Sequence, residues 1–219
     1  MNREIIFGPP GTGKTQTLLQ KVTEALQEGI KPDRIGYVSF SKRANVEAIV
    51  RAQKIEGFDL NEKDLPYFRT LHSMAVRLLG IDPSTQLMKT ADYQEFAEWI
   101  GVINFNTETS VDETGMVISK NEYLNQINLA RYRGVSIEEQ YDRNEHRGKI
   151  NWLKLQRIAK ALPVFKKNNH KYDFTDFIEI VVQKQLAPQL DVLFVDEAQD
   201  LNWLQWQMVH LLEKNSHKS

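Results

Sequence analysis

The chain has 219 residues, of which 41% are hydrophobic and 10% aromatic, proportions typical of a folded globular protein. No apolar run approaches the roughly 20 residues that cross a bilayer, and no signal peptide precedes the first strand, so we expect neither a membrane protein nor a secreted one. The absence of cysteine excludes disulfides, thiolate metal sites and a cysteine nucleophile, and it fits a cytoplasmic protein.

Charge is unevenly distributed along the chain. The net charge is −1, but residues 120–171 contain twelve Lys and Arg against five Asp and Glu. This basic block can bind a polyanion such as nucleic acid, in which case we expect weak, salt-sensitive binding. It can equally form the solvated face of helices, and composition alone leaves both alternatives open.

Strands and helices alternate over most of the chain. Apolar patterns and glycine or proline breaks predict, in chain order, a buried strand at 4–7, a helix at 14–27, a strand at 35–40, a helix at 42–53, a strand at 67–69, a helix from about residue 70 and a strand at 192–195. This order predicts an α/β fold with a mostly parallel sheet and helices on both faces.

The alternation stops between residues 81 and 171. No buried-strand signal occurs there, and helical patterns lie at 91–100, 121–131 and 150–162. We therefore expect a largely helical subdomain at 81–171, basic in its second half. It is inserted into an α/β domain formed by residues 1–80 and 172–219.

A glycine-rich turn lies between the first predicted strand and the first predicted helix. It matches the phosphate-loop pattern G-x-x-x-x-G-K-[ST] in full, with Gly8, Pro9, Pro10, Gly11, Thr12, Gly13, Lys14 and Thr15. Glycines let backbone N–H groups face phosphate oxygens, and the positive end of the helix adds to the attraction. Lys14 is placed to reach the β- and γ-phosphates, and the Thr15 hydroxyl to bind Mg²⁺.

A phosphate loop alone fits kinases, GTPases, AAA-type ATPases and helicases. The chain contains no Asn-Lys-x-Asp sequence of the kind that reads guanine, so we expect ATP and Mg²⁺ as cofactors. A phosphotransferase acting on a small molecule stays an alternative at this point.

Two acidic residues end the clearest predicted strand. The apolar run at 192–195 is followed by Asp196 and Glu197. Asp196 is placed to hold Mg²⁺ through water, and Glu197 to orient or deprotonate the water that attacks the γ-phosphate. The second acid favours hydrolysis over transfer to a small acceptor.

Five segments, in order, resemble the motifs of the UvrD/Rep/PcrA group of superfamily 1 DNA helicases. They are the phosphate loop, Val38-Ser39-Phe40-Ser41-Lys42-Arg43-Ala44 (similar to motif Ia), Thr70-Leu71-His72-Ser73-Met74-Ala75 (similar to the T-F-H segment), Tyr172-Asp173-Phe174-Thr175-Asp176-Phe177 (similar to the stretch before motif II) and Asp196-Glu197-Ala198-Gln199-Asp200 (similar to motif II). They span almost the whole chain. The resemblance implies the RecA-like first motor domain of a helicase.

The resemblance implies a single-stranded DNA path along the motif Ia and T-F-H segments, with contacts from Ser41, Lys42, Arg43, Thr70 and His72. Hydroxyl, cationic and imidazole groups suit contacts to phosphate and sugar. Local roles stay open beside this one. Ser41 fits a helix cap, His72 an ordinary helix-start residue, and Lys42 and Arg43 plain surface charge.

The glutamine of motif II senses the γ-phosphate in this family and couples its state to the DNA path, which implies that role for Gln199. The implied catalytic residues are therefore Glu197, Lys14 and Gln199, with Thr15 and Asp196 as the metal-binding pair. The implied partners are single-stranded DNA or single/double-strand junctions.

Two features depart from the family pattern. Only seven residues precede Gly8, where relatives carry an adenine-reading glutamine, and Gln16 stands where many have an arginine that packs against the base. The chain also ends 19 residues after Asp200, before motif III and the second RecA-like domain. We therefore expect it to bind ATP but to hydrolyse it slowly until a second RecA-like domain or a partner chain completes the site. The alternative is a nucleotide-dependent DNA-binding or regulatory module without motor activity.

Overall fold

The computed structural model describes residues 3–9, 11–40, 42–102, 105–111, 117–144, 148 and 150–218. The strands over these residues are β1 (Ile35–Ser39), β2 (Phe68–Thr70), β3 (Thr109–Val111), β4 (Val117–Ser119), β5 (Leu190–Val195) and β6 (Ser216–Lys218). The helices are α1 (Lys14–Gln27), α2 (Lys42–Gln53), α3 (Leu71–Leu79), α4 (Pro83–Gln86), α5 (Thr90–Trp99), α6 (Glu122–Arg133), α7 (Ile137–Asp142), α8 (Trp152–Asn168), α9 (Phe174–Gln183) and α10 (Trp203–Lys214). None of these described helices has both the length and the apolar character that a membrane crossing requires.

The main sheet has four parallel strands in the order β2-β1-β5-β6. Its register pairs Ser39 with Thr70, and Val38 with Val195. The carboxyl ends of β1, β2 and β5 therefore lie at one edge of the sheet, and the residues that follow them come together there. The predicted α/β fold with a parallel sheet is confirmed.

Helices cover both faces of the sheet. Successive residues of a strand point to opposite faces and therefore contribute to different cores. Tyr37 belongs to the core under α1 and α2, together with Leu19, Val22, Ala48, Ala52 and Phe68. The next residue, Val38, belongs to the core under α3, α9 and α10, together with Met74, Phe177, Val181, Met208 and Leu212. Each face is thus sealed by apolar side chains of its own helices.

The stretch between α4 and α9 has a separate hydrophobic core. Phe96 of α5 is fully buried there and meets the rings of Phe105 and Phe165 edge-on, with centroids 5.9 and 5.4 Å apart. The remaining buried members include Tyr93, Leu124, Ile127, Leu155, Ile158 and Leu162. The largely helical character predicted for this stretch is confirmed. The antiparallel hairpin of β3 and β4 is an addition that the sequence did not predict.

A buried group of charges, which we call the α9 charge cluster, joins this stretch to α9. It consists of Arg131 from α6, Lys166 from α8, and Asp173, Asp176 and Glu179 from α9 and its cap. The Arg131 guanidinium lies 2.6–2.9 Å from oxygens of all three acids, and the Lys166 Nζ lies 2.6 Å from Asp173. Burial alone would raise the pKa of Asp173, but the two cations outweigh it and hold that pKa well below its usual value.

The prediction of a strand at 4–7 was wrong. These residues form no strand, and the side chains of Ile5 and Phe7 are 71% and 88% exposed. An additional strand can pair only with a strand that has an unpaired edge. β5 has no unpaired edge, because β1 lies on one side of it and β6 on the other. The segment instead passes beside α10, where Arg3 forms an ion pair with Glu213.

Helix α8 continues past Pro163, although the sequence predicted its end at residue 162. Proline removes one helical hydrogen bond and crowds the preceding turn. The turn that follows buries Phe165 against Phe96 and brings Lys166 into the α9 charge cluster. These contacts offset the cost of the proline.

Candidate nucleotide-binding site

The phosphate loop has the backbone that its glycines predict. Gly11 and Gly13 have φ angles of +81° and +84°, a region that other residues rarely adopt. Gly8 is needed for a different reason, since a Cβ there would lie 2.4 Å from the Thr12 hydroxyl oxygen. Pro10, also predicted to line the loop, lies outside the described residues.

Hydrogen bonds close the loop on itself. The Lys14 Nζ donates to the carbonyl oxygens of Gly8 at 3.0 Å and Pro9 at 3.3 Å, and the Thr12 hydroxyl donates to Pro9 at 2.8 Å. The ammonium group is therefore held over the loop, where it can turn toward phosphate oxygens. Helix α1 begins at Lys14 with no acidic residue in its first turn, so its positive end faces the loop uncompensated by a side chain.

The carboxylate of Asp196 meets the phosphate loop directly. Asp196 follows β5, is 2% exposed, and accepts a hydrogen bond at Oδ2 from the Thr15 hydroxyl at 2.9 Å. The same Oδ2 accepts from the Tyr37 hydroxyl at 2.9 Å, and Oδ1 accepts from the backbone N–H of Glu197 at 3.0 Å. A hydroxyl and a carboxylate at this separation are the hard oxygen ligands that Mg²⁺ prefers, so the residues present fit that ion.

Tyr37 is the member of this site that sequence reasoning missed. Burial raises the pKa of its hydroxyl, and the neighbouring Asp196 raises it further, so the hydroxyl stays a donor at all ordinary pH values. The sequence did contain a signal for this role, because Tyr37 is the one residue of the apolar strand β1 whose aromatic side chain ends in a hydroxyl. A buried tyrosine hydroxyl generally needs a hydrogen-bond partner.

Glu197 begins a tight turn at the end of β5. Its φ of +53° is unusual for a residue other than glycine, and such conformations concentrate at functional sites. The Gln199 Nε2 donates to the Glu197 carboxylate and, at 3.2 Å, to Asp200. The structure thus brings Glu197 and Gln199 into contact at the solvent-facing side of Asp196.

Gln16 lies in a groove between α1 and α2 and accepts a hydrogen bond from Arg51 of α2. The groove has a volume of about 640 Å³, and its walls include Leu19, Gln20, Thr23 and Ile55. Arg51 also pairs with Glu47 one turn earlier on its own helix. A guanidinium is therefore present beside Gln16, although it comes from α2 rather than from the position after the phosphate loop.

The residues predicted to contact DNA are spread along the carboxyl edge of the sheet. Lys42 and Arg43 are exposed at the start of α2, directly after β1, while Ser41 lies outside the described residues. Thr70 caps α3 by accepting from the Ser73 N–H at 3.3 Å. These two segments are neighbours because β1 and β2 are paired.

His72 has a different position from the other four. Its side chain is only 6% exposed, and its ring stacks on Phe174 of α9 with centroids 4.4 Å apart. A side chain packed in this way is poorly placed to touch a DNA strand. The ring instead links α3 to α9 through its stack on Phe174.

Several cations of the basic block at 120–171 are paired with acids outside it. Arg131 and Lys166 belong to the α9 charge cluster, and Lys171 and Lys120 pair with Asp92 and Glu108, respectively. These acids offset much of the positive charge counted within the block. The positive charge available to a polyanion is therefore smaller than the count along the sequence indicates, and the buried Arg131 and Lys166 belong to neither a binding surface nor a solvated face.

Almost the whole chain resembles a known protein family. A search of curated proteins found no match. A family model described as the UvrD/REP helicase N-terminal domain matches residues 2–218. The match includes the phosphate loop, β1 with the start of α2, α3, and the acidic turn after β5. The chain therefore belongs to the UvrD/REP helicase N-terminal domain family.

Proposed function

We propose that this chain is the ATP-binding N-terminal portion of a DNA helicase or translocase that couples ATP hydrolysis to movement on single-stranded DNA. The observation that carries the proposal is the 2.9 Å hydrogen bond between Thr15 and Asp196. These residues are 181 positions apart, and they join the phosphate loop to the acidic turn in one site. The family match supports the same class of activity.

The roles of the residues follow from their positions. The loop N–H groups and Lys14 bind the β- and γ-phosphates, and Thr15 and Asp196 would hold Mg²⁺. When bound, the ion would neutralise the charge of the phosphates. Glu197 orients the attacking water and takes its proton, and Gln199, hydrogen-bonded to Glu197, responds to loss of the γ-phosphate.

We further propose two structural units. Residues 1–80 and 172–219 form the RecA-like ATP-binding domain, and residues 81–171 form an inserted subdomain. The separate hydrophobic core around Phe96 supports this division. The proposed partners are single-stranded DNA or strand junctions, and a second RecA-like domain or partner chain that completes the nucleotide site.

Replacing Lys14 by alanine is expected to weaken binding of ATP·Mg²⁺ about 10- to 100-fold, because hydrogen bonds to charged groups contribute about 1.5–3 kcal/mol. The measurement is a titration with a fluorescent, slowly hydrolysed ATP analogue. Lys31→Ala is the matched control, since Lys31 is an exposed lysine just before the amino end of β1, at the opposite edge of the sheet. Equal affinity in wild type and Lys14→Ala would overturn the assignment of the nucleotide site.

The DNA path is tested by replacing Lys42 and Arg43 together with alanine. Removing one bond to a phosphate should reduce the slope of log K against log[salt] by about 0.7 for single strands, so the double variant should show a slope smaller by about 1.4. The measurement is fluorescence anisotropy of a labelled oligothymidine across salt concentrations. A second variant, Lys63→Ala with Lys184→Ala, removes two exposed lysines that precede the amino ends of β2 and β5 and should retain the wild-type slope. Equal slopes in all three proteins would remove Lys42 and Arg43 from the path.

A further inference from the structure

Tyr37 occupies the middle of β1 with none of its surface exposed. Its ring stacks on that of Phe68 in the neighbouring strand β2, with centroids 5.4 Å apart and planes 18° apart. On the other side, β1 pairs with β5 and sets Tyr37 opposite Phe194. The ring therefore has little freedom to move, and the position of its hydroxyl is fixed by the sheet.

That hydroxyl is directed at the carboxylate which the site offers to a metal ion. It donates to Asp196 Oδ2 at 2.9 Å, the oxygen that also accepts from the Thr15 hydroxyl at 2.9 Å. The backbone of Asp196 is fixed as well, because its N–H donates to the Val38 carbonyl oxygen at 2.8 Å. Two hydroxyls from different elements, α1 and β1, thus set the orientation of one carboxylate oxygen.

The two hydroxyls are not equivalent. Thr15 belongs to the phosphate loop and is itself an expected ligand of Mg²⁺. Tyr37 is fully buried in the apolar core under α1 and α2. Hydrogen bonds from such outer partners orient the groups that bind a metal, and their loss typically weakens metal binding about 10- to 100-fold.

We propose that Tyr37 is a positioning residue that holds the Asp196 carboxylate in the orientation required for the Mg²⁺ that accompanies ATP. The proposal rests on the proposed function, because it assumes that the site binds a magnesium nucleotide. Tyr37 is fully buried, so it would act only through its hydrogen bond to Asp196. Its removal should therefore affect the dependence on Mg²⁺ and leave the binding of phosphate groups by the loop intact.

The test is Tyr37→Phe, which keeps the ring and its stack on Phe68 but removes the hydroxyl. A fluorescent, slowly hydrolysed ATP analogue is titrated with the full chain, first in EDTA and then at increasing free Mg²⁺. The variant should need about tenfold more Mg²⁺ than wild type for half-maximal enhancement of binding, with unchanged affinity in EDTA. A wild-type Mg²⁺ midpoint in Tyr37→Phe would overturn the proposal.

Tyr132→Phe is the matched control. The Tyr132 hydroxyl is also buried and accepts a hydrogen bond from Thr175 at 3.1 Å, but it lies between α6 and α9, away from the phosphate loop. The Tyr132→Phe variant should retain the wild-type Mg²⁺ midpoint. An equal shift in both variants, or an equal loss of affinity with and without Mg²⁺ in Tyr37→Phe, would assign Tyr37 to general stability and overturn the proposal. If wild type itself shows no Mg²⁺-dependent nucleotide binding, the proposed function fails first and the role of Tyr37 fails with it.

Discussion

Replacing Arg131 by alanine is expected to lower the free energy of unfolding by about 3–5 kcal/mol, the usual cost of removing one partner from a buried ionic group. Arg131 is hydrogen-bonded to Asp173, Asp176 and Glu179, and its side chain is only 15% exposed. Its removal leaves three carboxylates with Lys166 as their one remaining cation in the α9 charge cluster. Urea unfolding followed by circular dichroism measures the change as a lower midpoint.

Two further variants make this prediction specific. Arg143→Ala removes another arginine of the basic block, whose pair with Glu139 is about half exposed on both sides, and should cost at most about 0.5 kcal/mol. Arg131→Lys restores one positive charge without the planar, five-donor group, so its midpoint should lie between those of wild type and Arg131→Ala. If Arg131→Ala unfolds at the same urea concentration as Arg143→Ala, the cluster does not stabilise the junction between α6, α8 and α9.

The α9 charge cluster also shows that the count of charges along the sequence overstates the positive charge available to a polyanion. The block at 120–171 gathers twelve cations in sequence, but a helix presents its residues to neighbours that are distant along the chain. Arg131 and Lys166 meet acids that begin two residues beyond the end of the block, at Asp173. Only the fold determines which charges remain available to a polyanion.

The sequence predicted best where chemistry and local structure require the same residues. Helices α1 and α2 have the predicted bounds, because a glycine turn before α1 and the apolar spacing of both helices leave little choice. The run at 192–195 was correctly predicted as a strand, since four apolar residues in succession suit a parallel strand covered on both faces. The contact between Thr15 and Asp196 does not follow from strand pairing, since the described residues that lead into the phosphate loop form no strand. Thr15 reaches Asp196 because α1 packs on the face of the sheet that carries Val192 and Phe194 of β5.

Prediction failed where an element depends on partners that are remote in sequence. The residues at 4–7 have the apolar character of a strand, but a strand forms only where a neighbouring strand is available for pairing. The outer edge of β5 is already occupied by β6. Pro163 indicated a helix end, whereas Phe165 and Lys166 supply contacts that keep α8 helical beyond it. Tyr37 was assigned to an apolar strand by periodicity, which carries no information about where a hydroxyl is directed.

Replacing Glu197 by glutamine is expected to slow ATP hydrolysis about 10²- to 10⁴-fold while leaving nucleotide affinity unchanged, because the amide cannot accept the proton of the attacking water. The substitution is mild for the fold. The backbone N–H of residue 197 still donates to Asp196, and a glutamine oxygen can still accept from Gln199. Single-turnover hydrolysis of labelled ATP, with the chain in excess and single-stranded DNA present, measures the rate even if turnover is slow.

Asp191→Asn provides the comparison for this experiment. Asp191 lies on the same strand as the acidic turn but near its amino end, where it pairs with Arg34 in a partly exposed ion pair. Its replacement should change neither rate nor affinity, because the charge it removes is at the opposite edge of the sheet from the phosphate loop. Full activity in Glu197→Gln would exclude Glu197 as the base. A parallel loss of affinity would mean that Glu197 holds the nucleotide rather than activating water, and the strained turn at φ +53° would then serve binding instead of hydrolysis.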